Sequence, residues 1–291
     1  MTPSVFILGA GRAGRSLARA LVASGVDVVG LHGRRAEDDV VPVSAGRIPV
    51  RIGEAGVVLL TVRDVQLDDA IVEVAASPMA PGAVVLHASG ATDPAGLATL
   101  RAAGHPCGTL HPLVPLADPA RAAEVLRDAW IGVDGDPPAV AAARELVARL
   151  GAHALLIPPG EKPRYHAAAV FAANFPIVLS AFAGRLLREA GVDDDDARRA
   201  VHRLMAAAAE NVRESTPQEV LTGPIARGDV ASVRRHLEAL AGDPLALELY
   251  VTLSRAALPL AREQGTPASL LREIELALAS LAALGGTTSE N

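Results

Sequence analysis

Cysteine is nearly absent. Cys107 is the only one in 291 residues, which excludes an intramolecular disulfide and a cysteine-based metal centre. Lysine is as scarce: Lys162 stands alone among 27 basic residues, all the others being arginine. Aromatic residues make up only 2% of the chain while hydrophobic residues make up 50%, so Ala, Val and Leu must build the core. Excess positive charge is missing too. With a net charge of −6 and a pI near 5.8, the chain offers no basic surface for nucleic acid and reads as a soluble, cytoplasmic protein. No basic segment with a cleavage site precedes the first strand, so no signal peptide is expected. No metal site is expected either.

One uncharged run has membrane length. From Tyr165 to Gly184 there is no Asp, Glu, Arg or Lys. The run holds His166, Asn174 and Pro176 and favours Ala over Leu and Ile, so it is read as a buried central helix of a soluble protein.

What is present starts with a short apolar strand, Val5-Phe6-Ile7-Leu8, followed by Gly9-Ala10-Gly11-Arg12-Ala13-Gly14 and a helical pattern. This GxGxxG between strand and helix points to a dinucleotide. Its glycines allow a tight turn, close approach to a pyrophosphate and close helix–strand packing, and the helix N-terminus offers free N–H groups to the phosphates. The second strand, Val26 to Leu31, leads into His32-Gly33-Arg34-Arg35. An acidic residue that would bind a ribose 2′-hydroxyl is missing there, and two guanidinium groups suit a 2′-phosphate instead. NADP(H) is therefore the expected cofactor. Further buried strands end at Thr61-Val62-Arg63, at His87-Ala88-Ser89-Gly90 and at His111-Pro112. Loops at such ends line the cofactor crevice, which makes Thr61, Val62, Arg63 and Ser89 candidate cofactor contacts. His87 and His111 are either site residues or structural histidines.

Strands and helices alternate to about residue 157, as in a doubly wound, mostly parallel α/β sheet. After Pro158-Pro159 the pattern is helical only. The expected organisation is a dinucleotide-binding domain over 1–158 and an all-α substrate and dimerisation domain over 159–291. Asp193 to Asp196 read as a solvated helix start. The segment 222–229 reads as a fixed loop that either closes over a site or shapes a helix–helix turn.

Several motifs recur together: GAGRAG at 9–14, HASG at 87–90, LHPL at 110–113, KPRYHAAAVFAANF at 162–175 and LTGPIARGD at 221–229. In these the chain resembles an uncharacterised family of NADP-dependent oxidoreductases with an N-terminal Rossmann-like domain and a C-terminal helical domain. More widely it is similar to the superfamily of pyrroline-carboxylate reductases, ketopantoate reductases and 6-phosphogluconate dehydrogenase. The resemblance implies a helical domain that closes over the nicotinamide and contributes to a homodimer. In ketopantoate reductases the central helix carries Lys, Asn and Asn at one-turn spacing before Pro. Here those positions read His166, Val170 and Asn174, with Pro176 one place late.

The expected catalytic residues are His166, Asn174 and Lys162. Lys162 and His166 are four apart, about 6 Å along one helix face, and could reach one atom. Pro163 places Lys162 at the helix N-terminus, where the positive dipole end lowers an ammonium pKa. Asn174 lies about 12 Å beyond His166 and is expected to position substrate or the nicotinamide amide. The alternative is a solvated lysine and a packed histidine. The leading functional reading is an NADPH-dependent reductase of a small 2-oxo acid, with ketopantoate a candidate. An imine reductase of the pyrroline-carboxylate type and a non-catalytic NADP(H)-binding sensor are the alternatives.

Overall fold

The computed structural model describes residues 3–282. Contacts divide the chain into two compact units, Met1–Pro176 and Ile177–Asn291.

The first unit is built on an eight-stranded sheet: β1 (Val5–Leu8), β2 (Val28–His32), β3 (Val43–Ser44), β4 (Val57–Leu60), β5 (Val84–His87), β6 (Cys107–Pro112), β7 (Trp130–Gly135) and β8 (His153–Leu156). Their spatial order is β3-β2-β1-β4-β5-β6-β7-β8. All neighbours are parallel except β6 and β7, which run antiparallel. Strand order reverses between β1 and β4, which opens a crevice at their carboxyl ends. Five helices, α1 (Arg12–Ala23), α2 (Leu67–Ala75), α3 (Ala98–Ala102), α4 (Ala122–Leu126) and α5 (Pro137–Arg149), connect these strands.

The strand sequences are apolar without alternation because both faces of the sheet are covered. Along β1, Val5 and Ile7 join a core with Leu17, Leu21, Leu59 and Leu146, while Phe6 and Leu8 join a second core with Ile52, Val58, Ile71 and Leu100. One strand thus serves two cores through the period-two direction of its side chains.

A helical run then extends from Lys162 to Glu189: α6 (Lys162–Ala169), one π-helical turn (Val170–Asn174) and α7 (Phe175–Glu189). The change from strand to helix falls near residue 158, as the sequence suggests, whereas the boundary between the units falls inside this run, after Pro176. The start of the run belongs with the sheet. Its expected burial is not found. Phe171 and Ile177 are 68% and 69% exposed, and only 6% of the most apolar window is buried. Hydropathy states that such a face gains by being covered; it does not specify a cover from within the same chain.

The second unit contains α8 (Asp194–Glu214), α9 (Pro217–Val220), α10 (Pro224–Arg227), α11 (Val230–Ala239), α12 (Pro244–Glu263) and α13 (Ala268–Ala282). Ile225, Val233, Leu237, Val251, Leu258, Leu271, Ile274 and Leu278 form its core. Asp193 caps α8 by accepting from the Asp195 and Asp196 N–H groups, so the acidic run is a helix start. The segment 222–229 folds as the short α10, and Asp229 caps α11 through the Ser232 N–H at 3.0 Å. It shapes a helix–helix turn.

The glycine turn after β1 is close-packed. A Cβ at Gly14 would collide with the Gly9 carbonyl and lie 2.6 Å from the Thr61 hydroxyl. Gly14→Ala is expected to cost about 1–3 kcal/mol of stability through forced backbone displacement, read as a lower midpoint in thermal or urea unfolding.

Candidate functional site

Gly9 follows β1 with φ +122, a conformation that favours glycine. A Cβ on Gly9 would also meet the Thr61 backbone carbon at 2.6 Å. The Thr61 hydroxyl donates to the Gly9 carbonyl at 2.7 Å, so Thr61 clamps the turn from the end of the neighbouring strand β4. Gly11 is different: a Cβ there would touch nothing within 4 Å. The first turn of α1 carries no acidic residue, and no side chain caps it. Open space above Gly11 and uncapped N–H groups at a helix N-terminus fit a dinucleotide pyrophosphate.

Arg34 and Arg35 follow β2 and are exposed. Neither has an ion-pair or hydrogen-bond partner among the described residues, and Arg12 at the start of α1 is equally unpaired. Arg63 differs, its Nε donating to Gln66 at 3.2 Å. Val62 is half-buried.

A second cluster lies at the carboxyl ends of β5 and β6. β5 runs parallel beside β4, and β6 parallel beside β5, so the cluster is at the same edge of the sheet as the glycine turn. Lys162, the first residue of α6, is 0% exposed. Its Nζ donates to the Ser89 carbonyl at 2.7 Å, and it has no ion-pair partner among the described residues. The Ser89 hydroxyl is also engaged, accepting from the Thr92 N–H at 3.0 Å. Burial pushes the ammonium pKa down to about 8, against the pull of Asp134, Asp93 and Asp64. The sequence assigns such a lowering to the helix dipole; the structure makes desolvation the larger cause. A solvated lysine is excluded.

One turn on, Tyr165 and His166 complete the cluster. The Tyr165 hydroxyl lies 2.7 Å from His111 Nδ1 and donates within 3.3 Å of the His111 carbonyl. The His111 and His166 rings meet edge-on with centroids 5.9 Å apart. His166 Nδ1 and His87 Nε2 are buried without hydrogen-bond partners. Gly90 makes room for this meeting: a Cβ there would overlap His166 Nδ1 and lie 2.8 Å from His111 Nε2. Gly132 on β7 similarly makes room for the Tyr165 ring.

Burial and the nearby Lys162 charge hold His87 down at about 3 and His111 at about 4, so both rings are neutral at physiological pH. Burial raises the Tyr165 pKa and keeps it a phenol. The site therefore sets a buried ammonium beside two neutral imidazoles and a phenol.

The predicted residues divide accordingly. Lys162, His166 and Ser89 come together, and Gly9 to Gly14 come together with Thr61. Asn174 is exposed, in the π-helical turn, and makes no side-chain hydrogen bond among the described residues. A turn with i→i+5 bonding rotates the succeeding residues away from the α-helical register, so spacing along an ideal helix does not place Asn174 with His166. Tyr165 is a site residue that the sequence does not single out. Tyr165 lies inside the KPRYH motif, but its partner His111 is 54 residues away.

Residues 129–257 match the family model described as a domain of unknown function, DUF2520. No curated protein matches the chain in sequence. Among solved structures, a Bacteroides fragilis protein proposed to be an NADP oxidoreductase aligns with TM-score 0.70 and 20% identity over 88% of this chain and 98% of its own. A Thermotoga maritima protein aligns with TM-score 0.69 and 23% identity over 89% and 99%. Pyrroline carboxylate reductase of Plasmodium falciparum, solved with NADP bound, aligns with TM-score 0.58 and 10% identity over 98% of each chain. The chain thus shares their fold: a Rossmann-type sheet followed by a helical region.

Lys162 lowers stability near neutrality. Its folded pKa is depressed from 10.5 to about 8, so the folded state gains stability as pH rises from about 8 to 10.5 and loses it as pH falls back through that window. Relative to Lys162→Met, the wild-type protein should become more stable by about 3 kcal/mol across that window, measured by urea unfolding at each pH. Parallel curves for the two proteins would contradict a buried amine.

Proposed function

We propose that the protein is an NADPH-dependent reductase of a small carbonyl compound bearing a carboxylate, a 2-oxo acid. The observation that supports it most is the fully buried Lys162 amine with no carboxylate partner. A buried ammonium without a counter-ion is costly unless an anion or developing negative charge compensates it. A carboxylated substrate supplies that compensation, and an oxygen that gains negative charge takes a proton from such a group.

The residues after β1 and β2 suit the cofactor. Gly9 to Gly14 would hold the pyrophosphate, with Ala10, Arg12 and Ala13 lining the turn, and Arg34 and Arg35 would hold the 2′-phosphate. When bound, the cofactor supplies a hydride to the substrate carbon. Lys162 then donates the proton to the substrate oxygen. His166 orients that oxygen through its unpartnered Nδ1, and Tyr165 fixes the His111 ring through their 2.7 Å contact. Asn174 acts on a group away from the reacting atom, the substrate or the nicotinamide amide.

A second reading is imine reduction, favoured by the shared fold with pyrroline carboxylate reductase. Electrostatics separates the two. A protonated Lys162 repels an iminium and favours a carbonyl oxygen that becomes negative. The expected assembly is a homodimer in which a second copy covers the exposed apolar face of the Lys162–Glu189 run.

The test is NADPH oxidation at 340 nm with a panel of 2-oxo acids, ketopantoate included, and cyclic imines. Oxo-acid reduction should fall as pH rises through about 8, as Lys162 loses its proton. Lys162→Met should reduce kcat about 100-fold or more, as expected for loss of a general acid. Turnover of cyclic imines alone would favour the second reading. Cofactor binding without turnover of either class would favour a sensor.

A further inference from the structure

Three carboxylates stand close behind the arginine pair, and one of them, the exposed Asp38, has no ion-pair partner among the described residues. The other two, Glu37 and Asp39, follow Arg34 and Arg35 by a few residues, in the same connection between β2 and β3. Free carboxylates at this point would repel a phosphate monoester and would accept hydrogen bonds from an unphosphorylated ribose. Neither Glu37 nor Asp39 is free. Both are held by arginines of α1. Arg15 reaches Glu37 through Nη2 and Asp39 through Nη1 at 3.0 Å, while its Nε donates to the Ala10 carbonyl at 3.0 Å. Arg19 adds a second guanidinium to Asp39 at 2.6 Å. The Asp39 side chain is only 5% exposed.

Arg15 therefore spans three points with its five donors. One is the backbone of the glycine turn, and the other two are the acids Glu37 and Asp39. Glu37 is also tied through its backbone to Val43, the first residue of β3, in both directions. The connection is fixed in a shape that leaves Arg34 and Arg35 as unpaired cations, pairs Asp39 and the half-exposed Glu37 with arginines, and leaves Asp38 unpaired. An arginine on the helix side thus keeps two of the three acids off the arginines on the strand side, so that the pair of guanidinium groups outweighs the one unpaired carboxylate.

We infer that Arg15, with Arg19 in support, determines cofactor selectivity without touching the cofactor, by masking Glu37 and Asp39 so that a 2′-phosphate meets net positive charge. This rests on the NADPH reading above. Arg15 is a specificity-positioning residue, and its removal converts a masked pair of acids into a ribose-binding or phosphate-repelling pair.

The experiment measures dissociation constants for NADPH and NADH with the full-length protein, by cofactor fluorescence and calorimetry, with no turnover required. In wild type NADPH should bind more tightly. In Arg15→Gln the ratio of the two affinities should fall about tenfold or more, mainly through weaker NADPH binding. The triple variant Arg15→Gln/Glu37→Gln/Asp39→Asn should recover most of the NADPH preference, because it removes the unmasked acids along with the mask.

Glu37→Gln/Asp39→Asn in an otherwise intact chain provides an arm that does not depend on Arg15→Gln folding. With nothing left to mask, its affinity ratio should stay within about threefold of wild type or shift toward NADPH. Equal weakening of both cofactors in Arg15→Gln, or a tenfold loss of NADPH preference in the double variant, would overturn the inference while leaving the NADPH reading intact. A wild-type protein that binds neither nucleotide, or prefers NADH, would instead overturn the cofactor reading on which the inference stands.

Discussion

The site depends on one contact, the hydrogen bond from a fully buried Lys162 amine to the Ser89 carbonyl. It fixes the first residue of a long helix against the turn that leaves β5. With that point set, the helical repeat carries Tyr165 and His166 to the ends of β6 and β5. His111 gains its partner, and the small residues Gly90 and Gly132 become necessary because rings now occupy the space a Cβ would need. The same contact sets the charge balance. Burial first, and the adjacent Lys162 charge second, lower the basicity of His87 and His111 around it.

A buried, unpaired cation is poor for stability. The fold supports it with short strands apolar on both faces, two cores on the sheet and a separate helical core. The arrangement suits a site that receives an anion, where the ligand completes the electrostatics that folding leaves open. The same logic operates at the other end of the crevice in reverse. There Arg15 and Arg19 neutralise Glu37 and Asp39, and the unpaired guanidinium groups of Arg34 and Arg35 remain available.

Much of this is legible in the sequence because it is local. GAGRAG is a contiguous strand–turn–helix signature, and its packing against Thr61 follows from the strand order such a signature brings. The helices after Pro158 follow from periodicity and proline positions. Lys162 can be picked out by scarcity, but not its burial, since a lysine at a helix start is usually solvated. The Tyr165–His111 contact depends on β6 lying beside β7 and on Gly132 leaving space, relations between residues far apart in the chain. The exposure of Asn174 is not legible either, because one helical repeat does not run through a stretch that contains a π turn. The apolar run is recognisable as a helix, yet its exposure is not, because hydropathy does not say whether this chain's own core covers it.

The scarcity of lysine gives the central claim a direct test. Because Lys162 is the only lysine in the chain, protein labelled with ¹³C-lysine yields one side-chain signal, and its chemical shift followed against pH reports one group. The account predicts a titration midpoint near 8 that moves upward when a 2-oxo acid is bound, since a bound carboxylate stabilises the ammonium. A midpoint near the solvated value of about 10.4, unchanged by any carboxylate ligand, would contradict it.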